Sequence, residues 1–219
     1  LTPTIEYSNK KVCLIDQTYL PIEEKYIITD NYKEVCAAIY RLSIRGAPAI
    51  GVAGAYASVL VSDSIDTNDK KSFLDQFLAK TNEIANTRPT AINLRWAVKK
   101  MQQKAENFDG KVVELKLELL ELAHEIKKDD INRCHNLCLN GSDLISDNSN
   151  VMTICNTGGL ATSGIGTALG VIQYAHAKGK DLKVFVCETR PLLQGARLNI
   201  WELKRTNTPF SLMTDSMAA

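Results

Sequence analysis

The chain has 219 residues, enough for one large domain or two modest ones, and its 45% hydrophobic and 23% charged content is that of an ordinary globular protein. A formal charge of +1 provides no broad electrostatic field, so neither nucleic acid nor a membrane is an expected partner, and any bound anion should be small and held locally. The six cysteines, Cys13, Cys36, Cys134, Cys138, Cys155 and Cys187, make no CxxC pair and no disulfide framework; with no secretory leader at Leu1, a reducing, cytoplasmic compartment is expected.

The opening "TIEYSNKKVCLIDQTYLP" alternates apolar and polar residues around Ser8-Asn9, which predicts a hairpin. Asp30 is placed to cap a helix through "NYKEVCAAIYRLS", with Val35, Ile39 and Leu42 on one face. In "IRGAPAIGVAGAYASVLV" Pro48 suits a first helical turn, and the small residues permit close packing. The run is too short and too rich in Gly and Ala for a membrane span, which leaves a buried helix. Helical periodicity returns in "KKSFLDQFLAKTNEIA" and, after "NTRPT", in "AINLRWAVKKMQQKAEN". Residues 1–113 thus read as an N-terminal helical domain with a small β element.

Residues 114–150 read as one or two connecting helices, with Leu115, Leu119 and Leu122 as a core stripe and the charge run from Glu125 to Asp130 as a solvated face. After Asn150 the pattern changes. "VMTIC", "LKVFVCE" and "FSLMTDS" are short β-branched runs, separated by helical patterns in "GTALGVIQYAHAKGK" and "RLNIWELKRTN". That alternation predicts, over 151–219, the first part of a Rossmann-like parallel sheet, and an α/β fold class for the chain.

Ligands of parallel α/β sheets gather at the carboxyl ends of the strands, where "CNTGGLATSG", "ETRPLLQG" and "TDSMAA" fall. Cys155 stands where a strand stops, beside a glycine-rich turn whose amides would favour an anion. A cysteine at a strand end is equally a small buried hydrophobe. Arg45, Arg88 and Arg190 each stand at or next to a loop-to-helix boundary marked by Pro, where a bidentate donor joins helix amides; three such cases suggest a phosphorylated ligand, although Arg before Pro can simply mark a boundary. Gly46 would let the backbone approach that anion.

Cys134 and Cys138, one helical turn apart around His135, supply two thiols and no zinc set, so helix packing is the expectation and no metal site is assigned. His124 and His176 have no triad partners. "GLATSGIGTALG" has neither the lysine of a phosphate loop nor an ordered dinucleotide fingerprint, and no cofactor is expected.

Six words, "LIDQTYLP", "RGAPAIG", "RPTAINL", "CNTGGLATSGIGTALGVI", "ETRPLLQGARL" and "TDSMAA", run in order from near residue 13 to the end. Together they resemble the methylthioribose-1-phosphate isomerase family, whose wider membership includes the regulatory subunits of eIF2B. The resemblance implies Cys155 as catalytic thiol, and Arg45, Gly46, Ala47, Arg88 and Gln194 as substrate-binding residues with a sugar phosphate as their target. It implies an aldose–ketose isomerisation of 5-methylthioribose 1-phosphate in methionine salvage, no metal or organic cofactor, and a homodimer. The migrating hydrogen has two routes, a proton through an enolate or a hydride shift. The family's second catalytic residue is an Asp in a "GADR"-like strand end; this chain stops at Ala219 before it, so the Rossmann-like sheet is expected to be incomplete and the chain to be a fragment, or the ordered part, of a longer protein. Ile154 replaces a His common in relatives. The alternatives are a ribose-1,5-bisphosphate isomerase and a non-catalytic eIF2B-like subunit.

Overall fold

The structure is a computed structural model and describes residues 3–218. The last residue of the "TDSMAA" word therefore lies outside the described residues, as does Leu1. The chain divides into two compact units, one made of Ile5–Asp16 with Tyr26–Asp129, the other of residues 3–4, Gln17–Lys25 and 130–218.

In the first unit the predicted hairpin forms from β1 (Ile5–Ser8) and β2 (Lys11–Ile15), antiparallel with Tyr7 opposite Val12. Asn9 and Lys10 both take positive φ, 50° and 59°, the twist a two-residue hairpin turn requires. A third strand, β3 (Tyr26–Thr29), pairs antiparallel with β2 and was not expected. It is four residues long and mostly open to solvent, so no sustained alternation announces it. Helix α1 (Tyr32–Tyr40) is capped by Asn31, whose side chain accepts from Lys33 N at 3.0 Å, and not by Asp30. Val35 and Ile39 are buried as expected, whereas Leu42 lies past the helix end with φ of 66°.

Helix α2 (Ala47–Asp63) has Pro48 in its first turn and is buried throughout residues 49–62, so it is the central element of this unit and apolar on every side. Helix α3 (Lys70–Asn86) starts on Asp69, which accepts from Ser72 N at 2.7 Å. Helix α4 (Ile92–Asn107) packs against α2, with the Leu94 side chain and the Asn93 backbone lying over Gly54 and Gly51. Helix α5 (Val112–Ser142) is one uninterrupted element of 31 residues; Leu115 and Leu119 are fully buried and Leu122 partly so.

The second unit holds a parallel sheet in the order β4 (Ser149–Thr153), β5 (Leu182–Cys187), β6 (Phe210–Met213), with Thr153 opposite Val186 and Cys187 opposite Met213. Helix α6 (Ala168–Ala177) connects β4 to β5. A π-helical turn, Gly195–Asn199, runs directly into α7 (Ile200–Arg205) between β5 and β6. This is the predicted strand–helix–strand–helix–strand order, around a core of Leu169, Ile172, Val184, Val186 and Leu203. Residues 17–25 belong to this unit because Arg197 donates to the carbonyls of Gln17, Thr18 and Leu20. No helix among the described residues is long and apolar enough to cross a membrane.

Candidate active site

Strand β4 ends at Thr153, so Cys155 stands two residues beyond it, in the loop leading to α6. Its backbone is left-handed, φ 64°, a conformation that costs a non-glycine residue about 1–3 kcal/mol unless its surroundings hold it. Both backbone polar groups of Cys155 are held by side chains. Its N–H donates to Thr189 Oγ1 at 2.8 Å, and its carbonyl accepts from Asn199 Nδ2 at 2.7 Å.

Thr189, just after β5, is itself left-handed with φ 61°. Its N–H and that of Arg190 donate to the two carboxylate oxygens of Asp215, each at 2.8 Å. Asp215 begins the short turn after β6, so the carboxyl ends of the three strands are tied in series: β6 through Asp215 to β5, and β5 through Thr189 to β4. The Arg190 and Thr189 amides, with the Arg190 charge, hold the Asp215 carboxyl below the usual carboxylate range. With both oxygens used on this turn, Asp215 organises the "ETRP" loop.

Beneath the thiol loop lies a carboxylate that sequence reading passed over. Glu202 is fully buried and accepts from Asn156 Nδ2 at 3.1 Å, Gly159 N at 2.6 Å and Leu160 N at 3.3 Å. Burial pushes its pKa up to about 7, against the opposing pull of Asn156 and the two amides. Gly158 is required here, since a β-carbon would fall inside the Glu202 carboxylate. The amides of Gly159 and Leu160 in the glycine-rich turn are taken up by the protein's own Glu202 carboxyl. Asn156 Nδ2 also reaches Asn199 Oδ1 at 3.1 Å, which joins Glu202 to the Cys155 clamp.

Gln194 is half-buried at the start of the π turn in the same unit as Cys155. Arg45, Gly46, Ala47 and Arg88 belong to the helical unit. Gly46 caps α2 with φ 89°, a conformation glycine adopts without penalty, and follows the half-buried Arg45; Ala47 is the exposed first residue of α2. Arg88 is half-buried in the turn between α3 and α4, and its carbonyl accepts from Ala91 N at 2.9 Å. The Arg-before-helix pattern therefore holds at Arg45 only. Pro89 lies in a turn three residues ahead of α4, and Pro191 opens a turn before the π-helical segment, because a residue preceding Pro is pushed out of helical backbone.

Cys134 and Cys138 are buried under the glycine loop, with Cys138 Sγ 3.8 Å from the Gly166 carbonyl, and burial pushes the Cys138 thiol up to about 11. Among the described residues no group of three or more His, Cys, Asp or Glu could hold a metal ion. Thr189, Asn156, Asn199 and Glu202 are the site residues sequence reading missed. One signal was present: Asn199 and Glu202 are polar residues three apart, on one face of "RLNIWELK", and both are fully buried.

Comparison with known proteins places these elements in a family. The model of the Initiation factor 2 subunit family matches residues 43–219. A protein of Desulforamulus reducens named methylthioribose-1-phosphate isomerase is 45% identical over 98% of this chain and 62% of its own. The solved 5-methylthioribose 1-phosphate isomerase of Pyrococcus horikoshii superimposes with a TM-score of 0.94 at 34% identity, covering 100% of this chain and 61% of that one. A chain of A. fulgidus described as translation initiation factor eIF-2B, subunit delta, gives a TM-score of 0.89 at 37% identity, covering 98% of this chain and 63% of that one. The chain thus spans 62% of the length of the first of these relatives.

Proposed function

The chain belongs to the initiation factor 2 subunit family, and from that premise we propose that this protein is an aldose–ketose isomerase converting 5-methylthioribose 1-phosphate to 5-methylthioribulose 1-phosphate in methionine salvage. The observation that carries the reading is Cys155, a half-buried residue with a free thiol on left-handed backbone at the carboxyl edge of a parallel sheet. The names of the relatives at 45% and 34% identity support the choice of reaction.

The phosphate on O1 blocks opening of the sugar ring to a free aldehyde. The ring oxygen must therefore take a proton while hydrogen passes from C2 to C1, which calls for acid–base groups out of bulk water. Cys155 is our choice for one of these groups. Arg45 and Arg88 are proposed to grip the phosphate through charge-assisted hydrogen bonds, with Gly46 and Ala47 offering backbone and Gln194 completing the grip. The isomerisation is redox-neutral overall, so it needs no external oxidant.

A ketose-formation assay with 5-methylthioribose 1-phosphate tests the reading. Cys155→Ser should lower turnover by about 10²–10⁴-fold, the range of a positioned acid–base group, and leave substrate binding nearly intact. Wild-type turnover in that variant would remove the thiol from the mechanism, and no ketose from a longer version of the chain that carries the expected Asp would remove the isomerase. Arg88→Ala should raise KM about tenfold or more, the scale of a lost charged hydrogen bond. The regulatory-subunit reading draws on the A. fulgidus likeness; binding of a sugar phosphate without turnover would favour it. We further propose a homodimer in a reducing cytoplasmic compartment. The six free thiols support the compartment, and light scattering would measure the assembly.

A further inference from the structure

Cys155 is an unusual place to leave a residue with a β-carbon. At φ 64° the backbone relaxes into an ordinary region unless the peptide planes on both sides are held. They are held, one by Thr189 and one by Asn199, at distances typical of good hydrogen bonds. The direction of the Cα–Cβ bond, and with it the arc the sulfur can reach, follows from those two contacts.

The Asn199 contact has a required sense. Only its amide nitrogen can donate to the Cys155 carbonyl, so its oxygen must face Asn156, where it accepts from Asn156 Nδ2. That same nitrogen donates to Glu202 Oε1. Glu202 Oε1 already accepts from Leu160 N, so it meets Asn156 as an acceptor and Asn156 presents its nitrogen. Asn156 Oδ1 is left buried with no partner, in a side chain only 8% exposed. An amide keeps so costly an orientation when its neighbours impose it. Asn156 thus donates to both Glu202 and Asn199, and Asn199 donates on to the carbonyl of Cys155. Asn199 closes the π turn and Glu202 sits three residues on, so both lie on one helical face.

We propose that Glu202, Asn156 and Asn199 are positioning residues that lock Cys155 in its left-handed conformation and so aim its thiol. The proposal rests on the reading of Cys155 as the working thiol. It concerns orientation, so it can be tested without turnover.

The test is the iodoacetamide alkylation rate of Cys155, read by peptide mass spectrometry, with Cys36 of the helical unit as reference in the same molecule. Glu202→Gln keeps the shape but allows the amide order to reverse; Asn199→Asp keeps the shape and removes the donor. Leu203→Ala is the control, since Leu203 is fully buried in the same unit and outside the chain of amides. Each of the first two variants should change the Cys155-to-Cys36 rate ratio by about fivefold or more, the scale of one hydrogen bond, and move the Cys155 Cα chemical shift that reports φ. Leu203→Ala should lower Tm and leave the ratio and the shift alone. Unchanged ratios in folded Glu202→Gln and Asn199→Asp overturn the proposal. Should one of them not fold, the other decides; and a wild-type Cys155 Cα shift typical of ordinary strand or helix overturns it with no variant at all. Absence of isomerase turnover in the longer version of the chain would strike the proposed function and leave these readings in place.

Discussion

The two units use their polar side chains differently. In the helical unit the fully buried hydroxyls of Ser58, Ser62 and Thr81 bond back to their own helices, and longer links such as Lys127–Glu6 and Tyr56–His124 are only part-buried. Asn31 and Asp69 cap the helices they precede, and Lys104–Glu118 at 2.5 Å joins neighbouring helices in the open. In the parallel-sheet unit polar side chains at the strand ends bridge distant loops: buried Asn156 reaches Asn199 and Glu202, and half-buried Thr189 reaches Cys155. Surface caps and pairs add small increments of stability and constrain little beyond their own turn. Buried amides and carboxylates cost desolvation, and in return allow only one arrangement of donors.

Four measurements would break or sharpen that contrast. The largest effect belongs to the helical core: Phe77→Ala removes a fully buried ring stacked on Phe73 at 5.7 Å and should cost about 3–5 kcal/mol in denaturant unfolding. A loss below 1 kcal/mol would mean that this unit is not held by its apolar interior.

Next comes a pH effect from Glu202. Its folded pKa of about 7 lies above the ordinary 4.5, so its neutral form stabilises the fold fully below pH 4.5, and that contribution is lost as pH rises through about 7. The difference amounts to roughly 3 kcal/mol. Stability curves of wild type and Glu202→Gln should therefore diverge in slope between pH 4.5 and 7, and parallel curves would show that Glu202 titrates as an ordinary carboxyl.

Asp69→Ala should cost about 1 kcal/mol, the worth of an N-cap, with no change in Cys155 reactivity. A change in the thiol would contradict the separation drawn above. The smallest effect is expected from Lys104→Met, where both partners are substantially exposed; a loss of about 0.5 kcal/mol or less is the outcome consistent with a surface pair.

Much of this architecture was legible in residue order. The hairpin around Asn9, the buried helix begun by Pro48 and the alternation of "VMTIC", α6 and "LKVFVCE" all follow from periodicity and turn chemistry, which act over a few residues. β3 escaped because four half-exposed residues carry too short a pattern. The cap of α1 was misplaced by one position, since Asp30 and Asn31 are equally good capping residues and only backbone geometry separates them.

At the site, the sequence by itself determined that a cysteine, a glycine-rich turn and "ETRP" would fall at strand ends, because strand boundaries and glycines are local properties. It could not determine that the glycine turn is occupied by Glu202, or that Asn199 holds the carbonyl of Cys155. Those partners are separated by 43 and 44 residues, and their pairing exists only once the π turn and α7 are laid against the loop. A buried hydrogen bond has a direction as well as a distance, and that direction was decided only by the tertiary structure, where a carboxyl group already accepting from two backbone amides meets side-chain amides that can turn either way.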